Sequence, residues 1–250
     1  MPIFHHDNLD FYFVDEGEGE PIVLVHGFAS NIDANWIGPG WVSALRKAGR
    51  RIIALDNRGH GRSSKPHDAK AYGLPTMAGD VLALLDHTGV ERADYLGYSM
   101  GGRIGMLLAL TEPARIRSAI LGGIGASLIT GPGGSGKIVA ALEAPSAADV
   151  SDPIARSFRV FAEATKSDLK ALAACMKSLP YPFSAEDLSK CRVPVLIVRG
   201  DADDIAGAGR EIADMTAGAE YVEIAGRNHM SAVGDRVFKE AALDFLKRRP

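Results

Sequence analysis

The sequence contains few cysteines, no long apolar run and no basic cluster, and each shortage argues against a class of protein. Its 250 residues include only two cysteines, Cys175 and Cys191, so we expect reduced thiols and not a disulfide framework. No stretch reaches the ~18 consecutive apolar residues that a membrane span needs. A formal net charge of -3 gives no electrostatic footprint for nucleic acid. We therefore expect neither a nucleic-acid partner nor a membrane partner.

The N-terminal segment lacks the basic region and apolar run of a secretory signal. Together with the two thiols, this predicts a cytoplasmic protein. Neither cysteine has a histidine at metal-ligand spacing, so we expect no metal site. Nothing in the sequence indicates an oligomeric state.

Strand-forming runs alternate with helical patterns along most of the chain. Apolar runs such as PIVLV and VLIVRG are typical of strands buried in a parallel sheet. Stretches such as TMAGDVLALLDHTG repeat apolar residues at helical spacing and stop at a glycine. This alternation predicts an α/β fold, with a mostly parallel, doubly wound sheet and helices on both faces.

The alternation stops between residue 127 and about residue 190, where the patterns are helical and none is strand-like. We interpret residues 127–190 as a helical lid inserted above the carboxyl edge of the sheet. The predicted core then consists of residues 1–126 and 191–250.

A glycine-rich stretch, GPGGSGK at 131–137, fits the beginning of a phosphate-binding P-loop. A P-loop needs a serine or threonine after its lysine to hold Mg²⁺, and position 138 is Ile. The stretch also follows the sixth predicted strand, far from the start of any nucleotide-binding unit. We therefore expect no nucleotide cofactor, and we interpret the stretch as a flexible hinge where the chain leaves the core for the lid.

The pattern G-x-S-x-G at 97–101, GYSMG, lies between a predicted strand and a predicted helix. A serine on such a turn projects from the helix N-terminus, where the helix dipole favours developing negative charge. Ser99 is therefore a candidate nucleophile. A serine hydroxyl needs a base to remove its proton, so a histidine should accompany it.

His229 is the candidate base, because it follows the last predicted strand, and functional groups of α/β sites collect at strand ends. The acid that orients it should come between Ser99 and His229 in chain order. The run GDADD after the strand VLIVRG offers three aspartates. We favour Asp203, which leaves room for a turn after the strand, and Asp201 is the alternative.

An oxyanion hole needs two backbone N–H groups aimed at the developing negative oxygen. The residue after the nucleophile, Met100, supplies one candidate. The loop HGF at 26–28, after the strand PIVLV, supplies Phe28 as the other, and we interpret His26 as a residue that shapes this loop.

With these motifs, the chain resembles the α/β-hydrolase superfamily over nearly its whole length outside the lid. The resemblance rests on VHGF at 25–28, DNRGHGRS at 56–63, GYSMGG at 97–102, GDADD at 200–204 and NHM at 228–230. It implies a triad of Ser99, Asp203 and His229, with oxyanion donors on Phe28 and Met100. Arg58 and His60, in the family's D-x-R-G-x-G turn, are interpreted as structural. Haloalkane dehalogenases and epoxide hydrolases of this fold use an aspartate where this chain has Ser99, which disfavours both activities.

The resemblance implies a cofactor-independent serine hydrolase, a carboxylesterase that cleaves small or medium carboxylic esters. A C–C bond hydrolase or enol-lactonase with the same triad is one alternative, and a ligand-sensing receptor that keeps the triad is another. Aromatic and sulfur side chains predicted to line the substrate pocket are Trp36, Phe158, Phe161, Tyr181, Phe183 and Met230. For each of them, core packing is at least as strong an expectation.

Overall fold

The computed structural model describes residues 2–131 and 133–249, and within them an eight-stranded sheet runs through the centre of the molecule. Its strands are β1 (Ile3–His6), β2 (Leu9–Glu16), β3 (Glu20–Val25), β4 (Arg50–Leu55), β5 (Ala93–Tyr98), β6 (Ile116–Gly122), β7 (Val195–Gly200) and β8 (Glu220–Ile224). Their order across the sheet is β1-β2-β4-β3-β5-β6-β7-β8. The pairs β1–β2 and β2–β4 are antiparallel and the other neighbours are parallel. The predicted α/β fold with a mostly parallel sheet is confirmed.

Helices cover both faces of the sheet. They are α1 (Trp41–Lys47), α2 (Leu74–His87), α3 (Met100–Thr111), α4 (Ser127–Thr130), α5 (Ser135–Glu143), α6 (Pro153–Ala164), α7 (Leu169–Ser178), α8 (Ala185–Ser189), α9 (Arg210–Met215) and α10 (Arg236–Arg248). Alternate residues of β3 show the two faces, since Ile22 and Leu24 pack with α1 and α10 whereas Val23 and Val25 pack with α2 and α3. Burial on both faces explains why β3 is a continuous apolar run.

Between β6 and β7 the described residues form helices α4 to α8 and one 3₁₀ turn (Ala147–Asp149). Helix α5 packs against both α6 and α7. The division at residues 126/127 and 190/191 into core and lid stays a prediction.

The glycine-rich stretch lies between α4 and α5, inside this helical segment, and Gly134 takes a left-handed conformation directly before α5. Pro132, in the same stretch, lies outside the described residues. The interpretation of these glycines as a hinge between core and lid stays a prediction. The chain already turns away after β6, where Gly123 has a φ of 62° and a side chain on Gly125 would collide with backbone carbonyls of residues 206–208.

None of the described helices is both long enough and apolar enough to cross a membrane.

Candidate active site

Ser99 occupies a strained turn between β5 and α3. Its φ of 53° and ψ of -110° lie in a region that residues with a side chain rarely adopt. A Cβ on Gly97 would collide with the carbonyl of Gly101, and a Cβ on Gly101 would collide with the carbonyl of Val25. Glycine is therefore required on both sides of the serine. At position 97 it lets the strand end approach the first turn of α3, and at position 101 it lets that turn approach the end of β3.

Ser99, His229 and Asp203 form one continuous hydrogen-bonded chain. The distance from Ser99 Oγ to His229 Nε2 is 2.9 Å, and the distance from His229 Nδ1 to Asp203 Oδ2 is 2.8 Å. An ionised carboxylate only accepts hydrogen bonds, so Nδ1 carries the proton. Nε2 is then left as the acceptor for the serine hydroxyl, which is the arrangement that a general base needs.

Asp203 is fully buried and its carboxylate accepts three hydrogen bonds. Besides His229, the backbone N–H groups of Ile205 and Ala206 donate to Oδ1 at 3.1 and 2.8 Å. Burial by itself would raise the pKa of Asp203, but the hydrogen bond from His229 and the two backbone donors outweigh it and lower the pKa. Asp203 is therefore ionised at neutral pH.

Asp201, the alternative acid, lies elsewhere. Its Oδ1 accepts a hydrogen bond from the N–H of Gly226 at 2.7 Å, and its own N–H donates to Ile224. It braces the turn after β8 and does not contact His229.

The loop after β3 lies directly against the serine turn. A Cβ placed on Gly27 would be 3.4 Å from Ser99 Cβ and 3.3 Å from the carbonyl of Tyr98. Neither Phe28 N–H nor Met100 N–H donates to another of the described residues. Two unpaired backbone donors therefore flank Ser99 at the positions predicted for the oxyanion hole.

Two buried histidines hold the loops around the site. His26 donates from Nδ1 to the carbonyl of Gly27 and accepts at Nε2 from the N–H of Asn57, and burial lowers its pKa to about 4. His60 donates from Nδ1 to the carbonyl of Arg58, and burial, reinforced by His26, lowers its pKa to about 3. Both rings are therefore neutral in the folded protein.

Arg58 is buried and paired in a bidentate way with Asp80, through contacts of 2.7 and 2.6 Å. This pair ties the turn after β4 to helix α2.

Two cavities meet at Ser99 and His229. The larger, of about 350 Å³, extends between the serine turn and helices α5 to α7, and its wall is mostly apolar. The smaller, of about 110 Å³, extends toward the π-helical turn Asp33–Ile37 and the histidine loop. Phe28 and Phe158 line both cavities.

Three of the predicted pocket residues line these cavities. Phe158 borders both, and Phe161 and Met230 border the smaller one. The prediction is wrong for the other three, which lie outside both linings. Trp36 is fully buried and packs edge-on against Trp41 in the core on the other face of the sheet. Tyr181 and Phe183 pack edge to face against each other with their ring centroids 5.2 Å apart.

Arg103 and Asn35 are among the polar residues of the cavity walls that the sequence analysis did not identify. Arg103 lies one helical turn after Ser99 and donates to the carbonyls of Ser127 and Tyr181 at 2.9 and 2.8 Å. Burial lowers the pKa of Arg103 to about 10. The four-residue spacing from Ser99 is a signal that could have found Arg103, because it places both residues on one side of α3. No comparable signal marks Asn35.

Comparisons with known proteins agree with this fold. A family model described as the alpha/beta hydrolase fold matches residues 20–137. The solved structure of an enol-lactonase from Burkholderia xenovorans LB400 superposes with a TM-score of 0.85 at 25% identity, covering 99% of this chain and 100% of that chain.

Curated relatives include enzymes of different chemistry. The non-heme chloroperoxidase CPO-A1 of Kitasatospora aureofaciens is 28% identical over 97% of this chain and 98% of its own length. The 2-hydroxymuconate semialdehyde hydrolase of Pseudomonas putida is 36% identical over 115 residues, which are 45% of this chain and 40% of that protein. For several other curated relatives, the chain spans only 19% to 40% of their length.

Proposed function

Because the chain belongs to the α/β-hydrolase superfamily, we propose that it is a serine hydrolase that cleaves small or medium carboxylic esters through an acyl-enzyme on Ser99. One observation carries the proposal. The hydrogen bonds from Ser99 to His229 and from His229 to Asp203 join a nucleophile, a base and an orienting acid at the meeting point of two cavities. This arrangement supports acyl transfer without a cofactor.

In the acylation step, Ser99 Oγ attacks the ester carbonyl carbon while His229 Nε2 takes the hydroxyl proton. The carbonyl oxygen becomes an oxyanion that accepts hydrogen bonds from the N–H groups of Phe28 and Met100. Such a donor typically contributes about 3 to 4 kcal/mol to transition-state stabilisation. The ionised Asp203 stabilises the imidazolium that forms on His229.

The intermediate collapses when the C–O bond breaks and His229 Nε2–H gives its proton to the leaving alcohol oxygen. A water molecule then attacks the acyl carbon while His229 takes its proton. The second tetrahedral intermediate collapses when the bond from the acyl carbon to Ser99 Oγ breaks, His229 Nε2–H returns its proton to Oγ, and the carboxylic acid leaves. No metal or redox partner enters any of these steps.

Enol-lactone hydrolysis is the second candidate, and C–C bond hydrolysis is related to it. The full-length likeness to an enol-lactonase favours the former, and the partial likeness to a 2-hydroxymuconate semialdehyde hydrolase favours the latter. Both reactions use the same nucleophile, base and oxyanion donors. They differ in the group that leaves and in the shape of the pocket.

A comparison of kcat/KM on short p-nitrophenyl esters, enol-lactones and vinylogous diketones tests the proposal, with Ser99→Ala as the control. We expect esters to be turned over best and the variant to be inactive. A strong preference for lactones or diketones would replace the esterase proposal by one of the alternatives. Labelling of Ser99 by a fluorophosphonate without multiple turnovers of any substrate would instead favour a ligand-sensing receptor.

A further inference from the structure

Asn35 lines the smaller cavity beside the serine and the histidine. It belongs to the π-helical turn Asp33–Ile37, and only 5% of its surface is exposed. A buried amide normally has a hydrogen-bond partner for both its oxygen and its nitrogen.

The orientation of the Asn35 amide is determined by its neighbour. The N–H of Gly27 donates to Oδ1 at 3.1 Å, so the oxygen and not the nitrogen must lie on that side. The nitrogen, Nδ2, is buried and has no partner among the residues that the structure describes. Leaving a buried donor unpaired is unfavourable, and a ligand in the cavity would relieve it.

The position of His229 indicates which part of an ester enters this cavity. His229 must protonate the leaving oxygen, so the alcohol portion begins within reach of Nε2. Three residues of the histidine loop, His229, Met230 and Val233, line the smaller cavity, whereas only His229 of that loop lines the larger one. The larger cavity, with about 350 Å³ against about 110 Å³, has more room for an acyl chain.

We propose that Asn35 is a specificity-determining residue whose Nδ2 donates a hydrogen bond to an acceptor oxygen in the alcohol portion of the substrate. The preferred substrates are then esters of short alcohols that carry an ether, hydroxyl or carbonyl oxygen. This inference rests on the proposed ester hydrolysis, and it adds the chemical class of the leaving group.

A pair of matched esters isolates the proposed hydrogen bond. The butyrates of 2-methoxyethanol and of 1-butanol have the same number of non-hydrogen atoms and differ by one oxygen in place of a methylene. The ratio of their kcat/KM values, compared between variants, cancels any general effect on the chemical step. A second pair, the ethyl esters of 3-methoxypropanoate and pentanoate, places the same exchange on the acyl side.

Asn35→Asp is the main variant because it keeps an oxygen to accept the Gly27 N–H and replaces the NH₂ donor by an acceptor. Asn31→Asp is the matched control, since Asn31 Oδ1 caps the N–H of Ala34 and the residue lines neither cavity. Asn35→Ala, checked by thermal melting, tests the loss of the whole side chain.

We expect Asn35→Asp and Asn35→Ala to lower the methoxyethyl-to-butyl ratio about 3- to 10-fold, which corresponds to one neutral hydrogen bond. The acyl-side ratio should not change, and Asn31→Asp should leave both ratios at the wild-type value. An unchanged alcohol-side ratio in a folded Asn35→Asp protein that still hydrolyses esters would overturn this inference alone. A change confined to the acyl-side ratio would refute the assignment of the smaller cavity. If the wild type shows no ester hydrolysis that depends on Ser99, the proposed function itself is refuted.

Discussion

The Asp203→Asn substitution would exchange a carboxylate oxygen for an amide nitrogen at the atom that accepts the hydrogen bond from His229. The amide oxygen can keep the two backbone bonds from residues 205 and 206. The amide nitrogen then faces His229 Nδ1 and donates to it, which forces the imidazole proton onto Nε2. With a proton on Nε2, the histidine can no longer accept the hydroxyl proton of Ser99.

The expected loss is large because the wrong tautomer removes the base without disturbing the fold. The same substitution in the Ser-His-Asp template of other serine hydrolases lowers kcat about 10⁴-fold, and we expect a similar loss here. At about 1.36 kcal/mol per factor of ten, this corresponds to a barrier higher by about 5.4 kcal/mol. KM should change much less, since Asp203 lines neither cavity.

Steady-state hydrolysis of a p-nitrophenyl ester measures this effect, with Asp201→Asn as the control. Asp201 contacts the N–H of Gly226 and not His229, so its variant should stay within a few-fold of the wild-type kcat. A kcat within tenfold of wild type for Asp203→Asn would refute the role of Asp203. A loss near 10⁴-fold for Asp201→Asn would show that Asp201 is the acid.

The lowered pKa of Asp203 also gives the substitution a pH signature in stability. A carboxyl with a folded-state pKa below its unfolded value of 3.8 stabilises the fold above that value. This contribution is lost as the pH falls through the folded-state pKa. As the pH falls below 3.8, wild type should therefore lose stability relative to Asp203→Asn, because only the wild type loses the contribution of this carboxylate. Urea unfolding at several pH values measures it, and a difference that does not vary with pH would contradict the assigned ionisation.

Three further substitutions test the local structure. Ser99→Gly should relieve the strained φ and raise the free energy of unfolding by about 1 kcal/mol, and it should abolish hydrolysis. Thermal melting and the ester assay measure these two effects. A melting temperature below that of wild type would argue against strain. Gly101→Ala should lower the free energy of unfolding by about 3 kcal/mol or more, because its Cβ would collide with a backbone carbonyl. Gly133→Ala is the control, since the space around Gly133 is open, and its free energy of unfolding in urea should lie within about 0.5 kcal/mol of the wild-type value. Arg58→Met should lower the free energy of unfolding by about 3 to 5 kcal/mol, because the buried carboxylate of Asp80 would lose its bidentate partner. A loss below about 1 kcal/mol would show that the pair is dispensable.

The order of elements was predictable because local patterns carry it. Parallel strands buried on both faces are continuous apolar runs, and the helices between them repeat apolar residues every three or four positions. Strand β1 was missed, because four residues at the sheet edge show too little alternation to indicate a strand. The apolar pattern of the sequence also does not show the break between α6 and α7. There Lys166 takes a φ of 54° and the Asp168 side chain caps the next helix.

The sequence alone determined the nucleophile candidate, since GYSMG between a strand and a helix requires a glycine-flanked turn whose strain is local. It also determined that the partners follow later strands, because the carboxyl ends of parallel strands meet at one edge of the sheet. Only the tertiary structure decided that Asp203 and not Asp201 contacts His229, since two carboxylates two residues apart differ only in the direction set by the turn after β7. It alone decided that Phe158 borders the cavities whereas Trp36 packs into the core, and that the Asn35 amide lies beside Ser99. Which neighbour a side chain contacts depends on the packing of elements far apart in the chain, and no local pattern records it.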